Sequence, residues 1–115
     1  MNDFQKKLEE KMDVFAHEAY RLTKNFPPEE RYGSASQLRR AALSVIVNYT
    51  EGFARQKNLV KKNFWETSYG SLKESMYLIR FCEEENYYTK EESKYILSIG
   101  EEIGAMLWKL LRSLH

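Results

Sequence analysis

The stretch SASQLRRAALSVIVNYTEGFAR, Ser34 to Arg55, sorts into distinct faces when wound as a helix at 100° per residue. Leu38, Ala42, Val45, Tyr49 and Phe53 make a core-facing row, and Leu43, Val47 and Ala54 broaden the apolar surface to one side. That is more apolar surface than one core contact requires, so this helix is expected to be covered on two sides. Gln37, Arg40, Ser44, Asn48, Glu51 and Arg55 fall in a strip roughly 80° wide. A solvated face is normally rich in Glu and Lys. This strip uses Gln, Ser and Asn, mediocre helix formers suited to directed hydrogen bonds. Arg40 and Glu51 are too far apart on one helix to pair, so their partners are expected elsewhere. The competing reading is an ordinary solvent face.

Ser34 and Gln37 have capping-box spacing at the start of this helix, with Ser36 a second candidate cap, and Gly52 marks its approaching end. Upstream, Phe4, Leu8, Met12, Phe15, Ala19, Leu22 and Phe26 recur at steps of three and four, the seam of a packed helix, which Pro27-Pro28 then ends. Downstream, a third helix is expected from near Leu59 to Glu85, with Trp65, Tyr69, Leu72, Met76 and Ile79 as its large-residue row. Ser68, Ser71 and Ser75, with Gly70 nearby, form a small row that admits a neighbouring backbone. Asn86 suits the left-handed residue that ends a helix. Thr89 and Glu92 form a capping box for a fourth helix, whose core row is Ile96, Ile99, Ile103, Met106, Leu110 and Leu114, widened by Leu107, Trp108 and Leu111. Gly100 and Gly104, one turn apart, predict close helix contact. No strand alternation or long linker interrupts these segments, and residues 1–115 are expected to form one all-α domain, an up-down-up-down antiparallel four-helix bundle.

The 115-residue chain is 43% hydrophobic and 30% charged, an ordinary globular balance, with a formal net charge of +1. The charges are unevenly placed. From Ser36 to Asn63, Arg39, Arg40, Arg55, Lys57, Lys61 and Lys62 face one acid, Glu51. From Glu83 to Glu102, seven glutamates face Lys90 and Lys94. Such asymmetry fits an anionic partner at one face or subunits meeting through opposite charges, and equally two solvated faces that differ. The charged N-terminus has no signal-peptide apolar region and no window approaches a membrane span, so the cytoplasm is the expected location.

Little chemistry is visible. The chain has two histidines, His17 and His115, and neither follows a glutamate by three residues, so the bundle-core di-metal carboxylate pattern is missing. Cys82 is the single cysteine and falls in an apolar row; Ser44 has no histidine within helical reach. Gly33 and Gly52 are isolated, and no phosphate-cradling loop appears. No enzyme activity, cofactor, metal or small-molecule substrate is expected.

Phe26-Pro27, Glu30, Tyr32, then Ser36-Gln37-Leu38-Arg39-Arg40-Ala41, Ser44, Asn48 and Glu51-Gly52, followed by Gly70-Ser71-Leu72 and Glu74, closely resemble the pattern of a bacterial family of four-helix-bundle proteins. These were first noticed as reading frames within intervening sequences of large-subunit ribosomal RNA. The resemblance implies a bundle that assembles into a ring-like homopentamer, in which Gln37, Arg40, Ser44, Asn48, Glu51 and Glu74 line a subunit boundary or channel. A related retroelement accessory protein, which associates with reverse transcriptase and RNA, adds RNA or a nucleic-acid-processing protein as a further expected partner. The basic set Arg39, Arg40, Arg55, Lys57, Lys61 and Lys62 would make that contact. A purely protein–protein module is the alternative. Where the family has a small residue or proline near Val47 and an apolar-alanine pair at Tyr49-Thr50, this chain departs from the pattern.

Overall fold

In a computed structural model, residues 1–114 are described; His115 lies outside them. The chain forms α1 (Asp3–Thr23), a short 3₁₀ turn (Pro28–Glu30), α2 (Ser34–Phe53), α3 (Asn58–Glu84) and α4 (Lys90–Arg112). Each helix packs on its neighbours in chain order and α4 closes back on α1, leaving α1 and α3, and α2 and α4, as the diagonals. The result is an up-down-up-down bundle with extents of 44 × 25 × 17 Å.

The seams do what their spacing predicts. Leu8, Met12, Phe15 and Ala19 of α1 meet Leu38, Ala42, Val45 and Tyr49 of α2 in one core with Trp65, Leu72, Ile79, Ile96, Ile103 and Leu107. Phe26 lies past the end of α1, yet stays buried against Tyr87 and Tyr88, ring centroids 5.2 and 5.9 Å away. Trp108 does not widen the core: it is half exposed and leans on Tyr69 at the α3–α4 rim.

Caps divide into found and missed. The Thr89–Glu92 box is formed, and Asn86 takes φ 65° at the end of α3. There, the amide N–H of Tyr87 donates to Cys82 O at 3.1 Å and that of Asn86 to Glu83 O at 2.9 Å, the paired bonds of a Schellman ending. A second box, Asn2 with Gln5, starts α1. Ser34 does not cap α2. Gly33 occupies that position without a side-chain bond, and the Ser34 hydroxyl donates instead to Glu30 Oε1 at 2.5 Å.

Gly52 is the last residue but one of α2, as expected of an approaching end, and it has a packing role as well. A Cβ there would lie 2.2 Å from Trp65 Nε1, the indole nitrogen that donates to Tyr49 O at 3.0 Å. Its bare backbone is the seat of a tryptophan from α3. Gly100 does the same for α4, where a Cβ would meet Met76 Sδ at 2.2 Å. Gly70 faces open space and takes no part in the small-residue contact made by Ser68, Ser71 and Ser75.

Candidate functional site

The polar strip of α2 runs along its crease with α3. The Ser68 hydroxyl, fully buried on α3, donates to Val45 O at 2.6 Å, which brings the two helices close enough for side chains at the rim to touch. Asn48 Nδ2 donates to Ser44 O at 2.9 Å and Ser44 Oγ at 2.8 Å. Ser44 Oγ, while accepting that bond, shares a further hydrogen bond with Ser71 Oγ at 2.7 Å. Two turns toward the α2 N-terminus, Gln37 Nε2 donates to Glu74 Oε2 at 3.3 Å. Gln37, Ser44 and Asn48 of α2 are thus joined to Ser71 and Glu74 of α3 in a two-helix polar seam. Ser71 was legible only as a small residue; its hydroxyl is the link across the crease.

Arg40 stands apart. Its side chain is exposed and makes no hydrogen bond or ion pair among the described residues. It projects into an open groove of about 740 Å³ lined also by Tyr32, Ser36, Gln37, Ser44, Ser71 and Glu74. Tyr32, 90% exposed, forms one wall of this groove from the loop before α2. Glu51 finds its partner inside the strip, since Arg55 Nη2 donates to Glu51 Oε2 at 2.9 Å one turn on. The pair is half exposed and adds about 0.5 kcal/mol at most.

Beside the strip, α2 turns an apolar band to solvent. Leu43 is 40% and Val47 55% exposed, with Ile46, Thr50 and Ala54 completing a shallow surface. Although α1 and α3 both pack on this helix, the described residues leave the band at Leu43 and Val47 uncovered.

The basic set does not stay together. Arg39 points to the α1 side, where its Nε donates to Thr23 Oγ1 at 2.8 Å and its guanidinium lies 4.6 Å from the Tyr20 ring centre. Arg55, Lys57, Lys61 and Lys62 gather at the far end of α2, around the turn into α3. Arg39 and Arg40 lie roughly 20 Å from them, at 1.5 Å per helical residue.

Burial pushes the Cys82 thiol above its ordinary pKa, the opposite of what an attacking thiolate needs. Among the described residues no cluster of three or more His, Cys, Asp or Glu is arranged to hold a metal ion. No described helix is long and apolar enough to cross a membrane.

No curated protein sequence matches this chain. Among solved structures, a protein of unknown function from the S23 ribosomal protein family of Bacteroides thetaiotaomicron is similar, with a TM-score of 0.85 and 20% identity. The superposition covers 92% of this chain and 99% of that one, and at this identity it speaks for the four-helix architecture alone. Residues 5–109, spanning all four helices and the α2–α3 seam, match the sequence family described as 23S rRNA-intervening sequence protein, and the chain belongs to that family.

Proposed function

We propose that this protein is a non-enzymatic binding module that works as a homo-oligomer, built through the outward side of α2. One observation carries this reading: exposed Leu43 and Val47 lie directly beside Arg40, a guanidinium without a partner among the described residues. An apolar band rimmed by an unmatched charge is the pattern of a surface that meets another surface, the apolar part supplying affinity and the charge fixing register. The seam of Gln37, Ser44, Asn48, Ser71 and Glu74 serves the contact by holding the rim rigid. Five subunits is the number implied by the resemblance of the α2 motif to ring-forming bundles. An odd ring requires heterologous contacts, so the α2 face must meet a different surface of the next copy. Other partners, RNA or a protein that processes nucleic acid, would then bind the ring rather than build it.

Light scattering at micromolar concentration tests the proposal. The expected mass is about five times the 13.7 kDa of one chain. A single-chain mass at that concentration would contradict it.

A further inference from the structure

The antiparallel topology assembles a cationic end that is not contiguous in sequence. Arg55, Lys57, Lys61 and Lys62 surround the α2–α3 turn. The start of α1 and the end of α4 reach the same end of the bundle. The Tyr49 hydroxyl near the end of α2 donates to Gln5 O at 2.8 Å, and Lys109 Nζ of α4 sits 5.7 Å from the Phe4 ring centre. Those contacts bring Lys6, Lys7, Lys109 and Arg112 to the turn's four cations. The carboxylates near there are Asp3, Glu9, whose charge reaches the Tyr49 hydroxyl, and Glu51, which is held by Arg55. At the opposite end, Glu83, Glu84, Glu85, Glu91 and Glu92 outnumber Lys90 and Lys94 around the α3–α4 turn. That end also holds Lys24, Arg31, Arg39 and Arg40 with Glu29 and Glu30 where α1 passes into α2, so its charge is mixed, and the formal net charge of +1 conceals the excess of cations at the first end.

We propose that this cationic end binds the phosphodiester backbone of a nucleic acid, independently of whether the chain self-associates. The cations are spread across α1, the α2–α3 turn, α3 and α4 on a cross-section of 25 × 17 Å, the arrangement that follows a line of phosphates. Arg55 and Lys61 lie over the partly exposed rings of Phe64 and Phe53, 4.9 and 6.0 Å from their centres, which places aromatic faces beside the charges for unpaired bases. Apolar protrusion at this end comes from Leu59, 72% exposed, and Met1, 50% exposed, too little to anchor a membrane surface. The local excess of cations attracts a polyanion to this end despite the near-neutral sum.

The test is fluorescence anisotropy with a labelled single-stranded RNA of mixed sequence. With about five phosphates neutralised, affinity falls about 100-fold between ~50 and ~200 mM salt. The triple variant Lys7→Glu, Lys57→Glu, Lys62→Glu, all exposed positions on two separate elements, should bind at least about tenfold more weakly at ~50 mM and show a salt slope shallower by about 2. The alanine triple at the same positions should move in the same direction by less, and far-ultraviolet circular dichroism checks that each variant is folded. The equal charge change at the other end, Lys24→Glu, Arg31→Glu, Lys94→Glu, should leave binding within about twofold. Absence of binding at ~50 mM salt, equal loss in both charge-reversed variants, or equal affinity for phosphatidylglycerol vesicles would each overturn the proposal.

Discussion

The α2–α3 and α3–α4 contacts bring helices together by different means. Between α2 and α3, small polar side chains bond across the gap: Ser68 to Val45 O at 2.6 Å, Ser44 to Ser71 at 2.7 Å, with the Trp65 indole reaching Tyr49 O at 3.0 Å over Gly52. Between α3 and α4, glycines meet apolar side chains, Gly100 under Met76 and Gly104 under Leu72, and the polar link is an exposed Arg80–Glu101 pair at the rim. Both arrangements give close approach. Only the first fixes the axial register through directional bonds, and it leaves amide and hydroxyl groups along its outer edge. The surface proposed for partner contact sits beside the contact that is polar and rigid.

Substitutions can break this contrast in graded steps. The largest effect is expected from Gly52→Ala, because the new Cβ falls on Trp65 Nε1 and Cδ1, at 2.2 and 2.5 Å, and displaces the indole from its carbonyl. A loss of about 3 kcal/mol combines overpacking with a broken buried hydrogen bond, and urea midpoints would report it. Ser68→Ala leaves Val45 O without its cross-helix donor, and about 1–2 kcal/mol should be lost in the same assay. Gly100→Ala should cost less, about 1 kcal/mol. Its Cβ meets the flexible end of Met76 at 2.2 Å, and the better helix propensity of alanine offsets part of the strain. Gly70→Ala reverses the sign: nothing lies within 4 Å of the added Cβ, so propensity alone should raise the thermal midpoint, by about 0.5–1 kcal/mol of stability. If Gly70→Ala destabilises as much as Gly52→Ala, the assignment of these glycines to opposite faces is wrong.

Four helices, their order and most core rows were legible, because a period of 3.6 is a property of each segment alone. The α4 capping box and the Asn86 ending were legible for the same reason, being local in sequence. What periodicity does not carry is the neighbour. It ranks Trp108 with the apolar residues but cannot place it at the α3–α4 rim, where Tyr69 is its support. It gives Ser34 a capping spacing but not the nearby Glu30 carboxylate that takes its hydroxyl. For the α2 strip, the polar residues were found as a set, whereas the sorting within it depended on other helices. Gln37 and Ser44 are tied to α3, Glu51 is satisfied by Arg55, and Arg40 faces the groove without a partner among the described residues. The six cations grouped along the sequence likewise divide, since Arg39 turns to Thr23 and Tyr20.

Sedimentation velocity on two variants tests the self-association account most directly. Val47→Glu places a carboxylate in the exposed apolar band of α2, and Trp108→Glu places one on the α3–α4 rim, so both change charge equally at surface positions. The account predicts that Val47→Glu sediments as a single chain at micromolar concentration while Trp108→Glu keeps the wild-type assembly. A Val47→Glu variant that sediments like the wild type would contradict it.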